Sequence, residues 1–203
     1  MIVAGNEVTT EENASLVAVS FLVQIDFVMR EWNTVMRRIA YPANSWDDPN
    51  MPINWDQYGE RINVGVDDDE ELSEPGIIYT EGLGPCIGAC IAYGTWARIV
   101  HSSTVELDGE EYETLIAAAK NLIPANRVSS IRPVLCGNDP AADATCEASR
   151  AWAIKKLKDA GFADPILHWC AQGQTAELRV CLTDKLIEVE VGYKTFEYPV
   201  TQD

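Results

Sequence analysis

The chain has 203 residues, 47% hydrophobic and 23% charged, which supports a packed domain with an extension, or two small domains, and argues against global disorder. A formal net charge of -17 excludes the clustered cationic surface that phosphate backbones and anionic membranes select, so neither nucleic acid nor membrane insertion is expected. Six cysteines with no CxxC pair, and two histidines far apart, do not make a zinc ligand set; reduced thiols are expected instead of a disulfide framework.

Thr9 and Glu12 stand at capping-box spacing, and Leu16, Val19, Val23 and Phe27 recur at three- and four-residue steps. The pattern predicts a helix to about Ala40, closed by Arg37 and Arg38, which suit the negative end of its dipole. The apolar part, Ala14 to Ile25, is too short to span a bilayer, and no basic segment precedes it, so a secretion signal is not expected. The chain is therefore expected to be cytoplasmic, with export as an effector as the alternative. A stretch rich in Pro, Asn and Trp follows, from Tyr41 to about Gly59, and reads as a linker. Residues 1–60 are expected to be an accessory segment and residues 61–203 the functional domain.

Strands are expected at Ile62–Val66, Ile77–Thr80, Ile87–Ala92, Trp96–Ser102, Ile131–Cys136, Pro165–Cys170, Ala176–Leu182 and Leu186–Val191. Helices are expected over Glu110–Ile123 and Thr145–Ala160, the second ended by Gly161. The run Asp67 to Glu71 reads as a solvated acidic loop. The mixture predicts an α/β (α+β) domain.

The segment Thr80-Glu81-Gly82-Leu83-Gly84-Pro85-Cys86, with His101 downstream, carries the chemistry. A thiol needs a base to become the attacking thiolate, and histidine is the usual base at neutral pH. A hairpin around Gly94 brings the two residues to one face. With the turn at Tyr93-Gly94, Cys86 lies directly opposite His101; with the turn at Gly94-Thr95, it is a diagonal neighbour. His168, expected to face solvent from an edge strand, is the weaker base, and Cys90, Cys136, Cys146, Cys170 and Cys181 read as buried packing thiols.

The pattern Thr80-x-Gly82-Leu83-Gly84-x-Cys86, then Cys90 and His101, resembles the chemoreceptor glutamine deamidases of the CheD family, over residues 62–193. Val64-Gly65-Val66 and Pro75-Gly76-Ile77-Ile78 match that family's first strands; the Gly137 loop, the following helix and the hairpin at Asp184-Lys185-Leu186 match its second half. The resemblance implies a layered sandwich of mixed sheets with outer helices, shared with the catalytic domain of cytotoxic necrotizing factor toxins. It implies Cys86 as nucleophile, His101 as general base and acid, Thr80 as the group orienting His101, and Gly82, Gly84 and Pro85 as the substrate and oxyanion turn. It further implies hydrolysis of a protein glutamine side chain, with no cofactor, and a CheC-type phosphatase as a second partner. Pro85 stands where the family usually has serine. If the oxyanion were held by the N–H of residue 85, proline would remove it; if by that of Cys86, proline only stiffens the turn.

Overall fold

Strand β4 (Ile87–Tyr93) is buried at every residue, and its two faces serve two different cores. Ile87, Ala89, Ile91 and Tyr93 belong to one apolar cluster, while Cys90 and Ala92 belong to the other. Alternation of period two thus makes this strand the middle of a layered structure. Full burial of a side chain such as Ile91 contributes about 1.5–3 kcal/mol. The computed structural model describes residues 59–73, 75–103, 109–142 and 144–202, all within one unit, Asn54–Asp203. The helix and linker expected before residue 59 lie outside the described residues.

Two five-stranded sheets form the domain. The first has the order β1 (Glu60–Asn63), β3 (Gly76–Thr80), β8 (Ala176–Cys181), β9 (Leu186–Val191) and β10 (Lys194–Pro199). The second has the order β2 (Asp68–Leu72), β5 (Trp96–Ser102), β4, β6 (Val134–Gly137) and β7 (Ile166–Trp169). Both are mixed: β1–β3 and β6–β7 are parallel, and the other pairs are antiparallel. Ile78, Leu178, Val180 and Val189 of the first sheet share a core with Cys90, Ala97, Ile99 and Val134 of the second. On the far face of the second sheet, Ile91, Val100 and Leu135 pack with helices α1 (Glu110–Leu122) and α2 (Cys146–Asp159).

The helices form where their stripes predict. Tyr112, Leu115, Ile116 and Ala119 are the buried face of α1, at helical spacing. Helix α2 closes with Gly161 N–H bonded to Lys158 O at 2.9 Å and Phe162 N–H to Leu157 O at 3.4 Å. That is a Schellman closure, and Leu157 and Phe162 are both buried in the same core.

Two expectations fail. The acidic run is not a loop: Asp68–Leu72 is β2, an edge strand paired along its length with β5. Arg98 of β5 bonds Glu71 at 2.8 Å and also pairs with Asp69, which neutralises part of the run. Leu72, 1% exposed, anchors the strand in the inter-sheet core. Strand β10 was also not expected. It is an edge strand with no fully buried residue; Phe196 and Tyr198 are half-buried and alternate with exposed Glu197 and Pro199, a period-two signal too short to stand out from the turn residues before it.

Candidate active site

Antiparallel pairing of β4 with β5 matches Tyr93 to Trp96 and Gly88 to His101, so the turn is Gly94-Thr95. Cys86, two residues before Gly88, is therefore the diagonal neighbour of His101, with typical Cβ separations of about 7–8 Å for such pairs. His101 follows the parity of Ala97 and Ile99 and faces the other sheet. Thr80, the last residue of β3, follows the parity of Ile78 and faces it from the opposite side. The two meet across the sandwich: Thr80 Oγ1 lies 2.7 Å from His101 Nδ1. Thr80 is fully buried and His101 is 2% exposed.

Hydrogen-bond roles follow from a count of protons. Thr80 has one hydroxyl proton and donates it to Val64 O at 2.9 Å, an oxygen that can only accept. Thr80 Oγ1 must then accept from His101, which places the imidazole proton on Nδ1. Nε2 is left as the lone-pair nitrogen, and it is buried with no hydrogen-bond partner among the described residues. A neutral histidine with a fixed tautomer and an unused basic nitrogen is poised to take a proton.

The glycine turn has its own support. Leu83 is fully buried, and its N–H bonds Ala176 O of β8 at 3.1 Å. Gly84 N–H turns back to Gly82 O at 2.7 Å. Gly82 has φ +73, which explains glycine there; a methyl group on it would meet no atom within 4 Å. At Gly84 an added methyl would meet only Thr175 Cγ2, at 3.7 Å. Neither glycine is required by crowding among the described residues. Pro85, which is exposed, supplies no N–H, and the next amide, that of Cys86, bonds to no described residue.

Burial pushes the Cys86 thiol above its ordinary 9.0, and the Asp67 carboxylate pushes it the same way. Burial holds His101 below 6.5, against the opposing pull of Asp67 and of the Val64 carbonyl. At neutral pH both groups are therefore uncharged, a protonated thiol and a neutral imidazole. Asp67 is the site residue that sequence reasoning missed, being absorbed into the acidic run. Its N–H bonds His101 O at 2.7 Å, its Oδ1 accepts from Ser103 N–H at 2.7 Å, and its φ is +57. Asp67→Asn keeps the Ser103 acceptor and removes the charge. Alkylation of Cys86 by iodoacetamide is then expected to be roughly two- to fivefold faster at low ionic strength, with the gain fading in salt. An unchanged rate in low salt would remove Asp67 from the site's electrostatics.

His168 does not face solvent as expected: Leu167 is 42% exposed, whereas His168 bonds Tyr198 Oη at 2.6 Å and stacks on Phe196. All six cysteines are free and buried. Among the described residues, no group of three or more His, Cys, Asp or Glu is placed to hold a metal ion, and no helix is long and apolar enough to cross a membrane.

No family model and no curated protein matches the chain. A solved structure with a distant likeness is the C-terminal domain of CNFy from Yersinia pseudotuberculosis, at 7% identity and a TM-score of 0.36. The likeness covers 68% of this chain and 61% of that one, so this chain spans less than two thirds of the neighbour's length. The chemistry of the site is accordingly read from its own residues.

Proposed function

We propose that the chain is a cysteine-dependent protein-glutamine deamidase in which Cys86, His101 and Thr80 act together. The observation that carries this reading is the relay from Val64 O through Thr80 Oγ1 to His101 Nδ1, which leaves Nε2 unpartnered on a residue whose strand partner, Gly88, lies two residues after Cys86. In the reaction, Nε2 takes the thiol proton as sulfur adds to the δ-carbon of glutamine. The resulting oxyanion is held by the Cys86 N–H. Collapse expels ammonia, which leaves with the proton from Nε2, and forms a thioester. Water, losing a proton to the same nitrogen, then releases glutamate and restores the thiol.

The CheD-like motif order supports glutamine as the substrate, and exposed Gly82 and Pro85 beside Cys86 suit a protein side chain entering from the surface. A chemoreceptor, another cytoplasmic protein or a host protein would each satisfy that chemistry, and a CheC-type phosphatase is the binding partner the motif suggests. The test is incubation with candidate proteins, following ammonia release and glutamine-to-glutamate conversion by mass spectrometry. Conversion that depends on Cys86 supports the reading; release that persists in Cys86→Ala ends it. A primary amine added to the assay separates transglutamination, which would yield a cross-linked product.

A second reading, a binding module that kept the fold without the reaction, draws on the burial of Cys86, which is 6% exposed. A Cys86 thiol that reacts with iodoacetamide no faster in the wild type than in His101→Ala would favour it.

A further inference from the structure

The turn that carries Cys86 is gripped by residues far away in sequence. Gly84 O accepts from Asp139 N–H at 2.6 Å, Pro85 O from Asn138 Nδ2 at 3.0 Å, and Cys86 O from Asn138 N–H at 2.7 Å. Three successive carbonyls are thus drawn toward the segment that follows β6. Asn138 is fully buried and holds φ +56, a conformation asparagine tolerates better than most side chains. The segment is itself fixed. Arg150 Nη2 donates to Asn138 O at 2.5 Å and to Cys170 O at 2.9 Å, while Asp139 Oδ2 accepts from Gly173 N–H at 2.8 Å.

Peptide geometry turns this grip into an aiming device. The Pro85 carbonyl and the Cys86 N–H belong to one planar unit, and the described residues contain no cis peptide, so the two groups point in opposite directions. Holding Pro85 O against Asn138 Nδ2 therefore directs the Cys86 N–H away from the 138–139 segment. The preceding peptide ends in proline and has no N–H to offer. The side-chain hydrogen bond from Asn138 thus helps set the orientation of this amide, between neighbouring carbonyls that are held by backbone N–H groups.

We infer that Asn138 is a positioning residue that aims the Cys86 N–H at the oxyanion formed in acyl transfer. The inference rests on the reading of Cys86 as an acyl-transfer nucleophile, and the two can be tested apart. p-Nitrophenyl acetate and iodoacetamide both react with the Cys86 sulfur, but only the first passes through an oxyanion. With the ester, the S–C bond forms as Nε2 takes the thiol proton, the oxyanion collapses, and p-nitrophenolate leaves as the acetyl thioester remains. With iodoacetamide, sulfur displaces iodide at a saturated carbon. Rates are measured after subtracting those of Cys86→Ala.

Asn138→Gly removes the side-chain amide, keeps the backbone N–H that holds Cys86 O, and accepts the positive φ. Acylation is expected to fall about tenfold or more while alkylation stays within about twofold of wild type, since removing an oxyanion donor costs on the order of 100- to 1000-fold. Asn138→Asp offers a second, isosteric arm. Its protonated carboxyl donates to Pro85 O and its ionised form cannot; burial at this position raises a carboxyl above its ordinary value of about 3.9, so the ratio of acylation to alkylation, relative to wild type at the same pH, should rise as pH falls from about 8 to about 5. A structural role alone would lower both rates together and show no such recovery. Equal losses in both reactions, or no loss in either, would overturn the assignment of Asn138. Wild-type protein that alkylates at Cys86 yet takes no acetyl group would instead remove the acyl-transfer reading, and this proposal with it.

Discussion

Under the proposed mechanism, replacing Cys86 or His101 by alanine lowers deamidation by on the order of 10⁵- to 10⁶-fold, and the double variant is no slower than either single one. The reason is that nucleophile and base act as one unit. Without Nε2, the Cys86 thiol stays protonated at neutral pH, because burial and Asp67 hold it above 9.0. Without sulfur, the imidazole has no proton to take. The pH profile carries the same signature. The imidazole must be unprotonated to act as base, and it titrates below 6.5, so activity should fall only as pH drops through that lower value. Between 6.5 and 9.0 the rate should be flat, since neither group changes charge there. A preformed thiolate–imidazolium pair behaves oppositely and loses activity as the imidazolium deprotonates. Measuring kcat/KM from acid to alkaline pH, with alkylation of Cys86 alongside, separates the two. An alkylation rate already maximal near neutrality would contradict a neutral thiol.

The parts of this arrangement that sequence exposes are the local ones. Thr80 at a strand end, glycines before Cys86 and His101 in the hairpin partner are all visible as short-range pattern, and β3, β4 and β5 form close to where alternation places them. Sequence alone allows two hairpin registers because Tyr93-Gly94 and Gly94-Thr95 are both acceptable turns; Tyr93, paired with Trp96 and buried in the helix-side core, decides between them. Strand β2 was hidden for a different reason. Five consecutive acids look like solvated loop until Arg98 and the backbone of β5 are supplied from the hairpin beyond. Asp67 was lost with them. Asn138 and Asp139 left no local trace at all, since a Gly-Asn-Asp sequence after a strand reads as an ordinary turn. What they grip depends on which carbonyls face them, and only the folded chain brings residue 138 to residues 85 and 86.

Gly137→Ala is expected to destabilise the protein by about 2–5 kcal/mol, combining about 1–2 kcal/mol for a positive φ with about 1–3 kcal/mol for overpacking. Gly137 has φ +98, and a methyl group there would stand 2.5 Å from Cys86 O and 2.9 Å from both Leu83 O and Leu83 Cβ. Two of those three neighbours are backbone atoms of the nucleophile turn, so no rotamer change relieves the contact. Relief requires the turn to move away from β6. That motion would stretch the bond from Asn138 N–H to Cys86 O and shift the sulfur relative to His101, so acylation and alkylation of Cys86 should fall together. Gly82→Ala supplies the contrast. It carries the same left-handed strain at φ +73 but meets no atom within 4 Å, so its cost should be only about 1–2 kcal/mol. At about 2–4 °C per kcal/mol for a chain of this size, Gly137→Ala should melt roughly 5–20 °C lower than wild type, well beyond Gly82→Ala. Equal melting of the two variants would mean that the 137–138 segment yields freely. The Cys86 turn would then not be held from below, and the placement of its amide would have to come from the turn's own bonds, Leu83 N–H to Ala176 O and Gly84 N–H to Gly82 O.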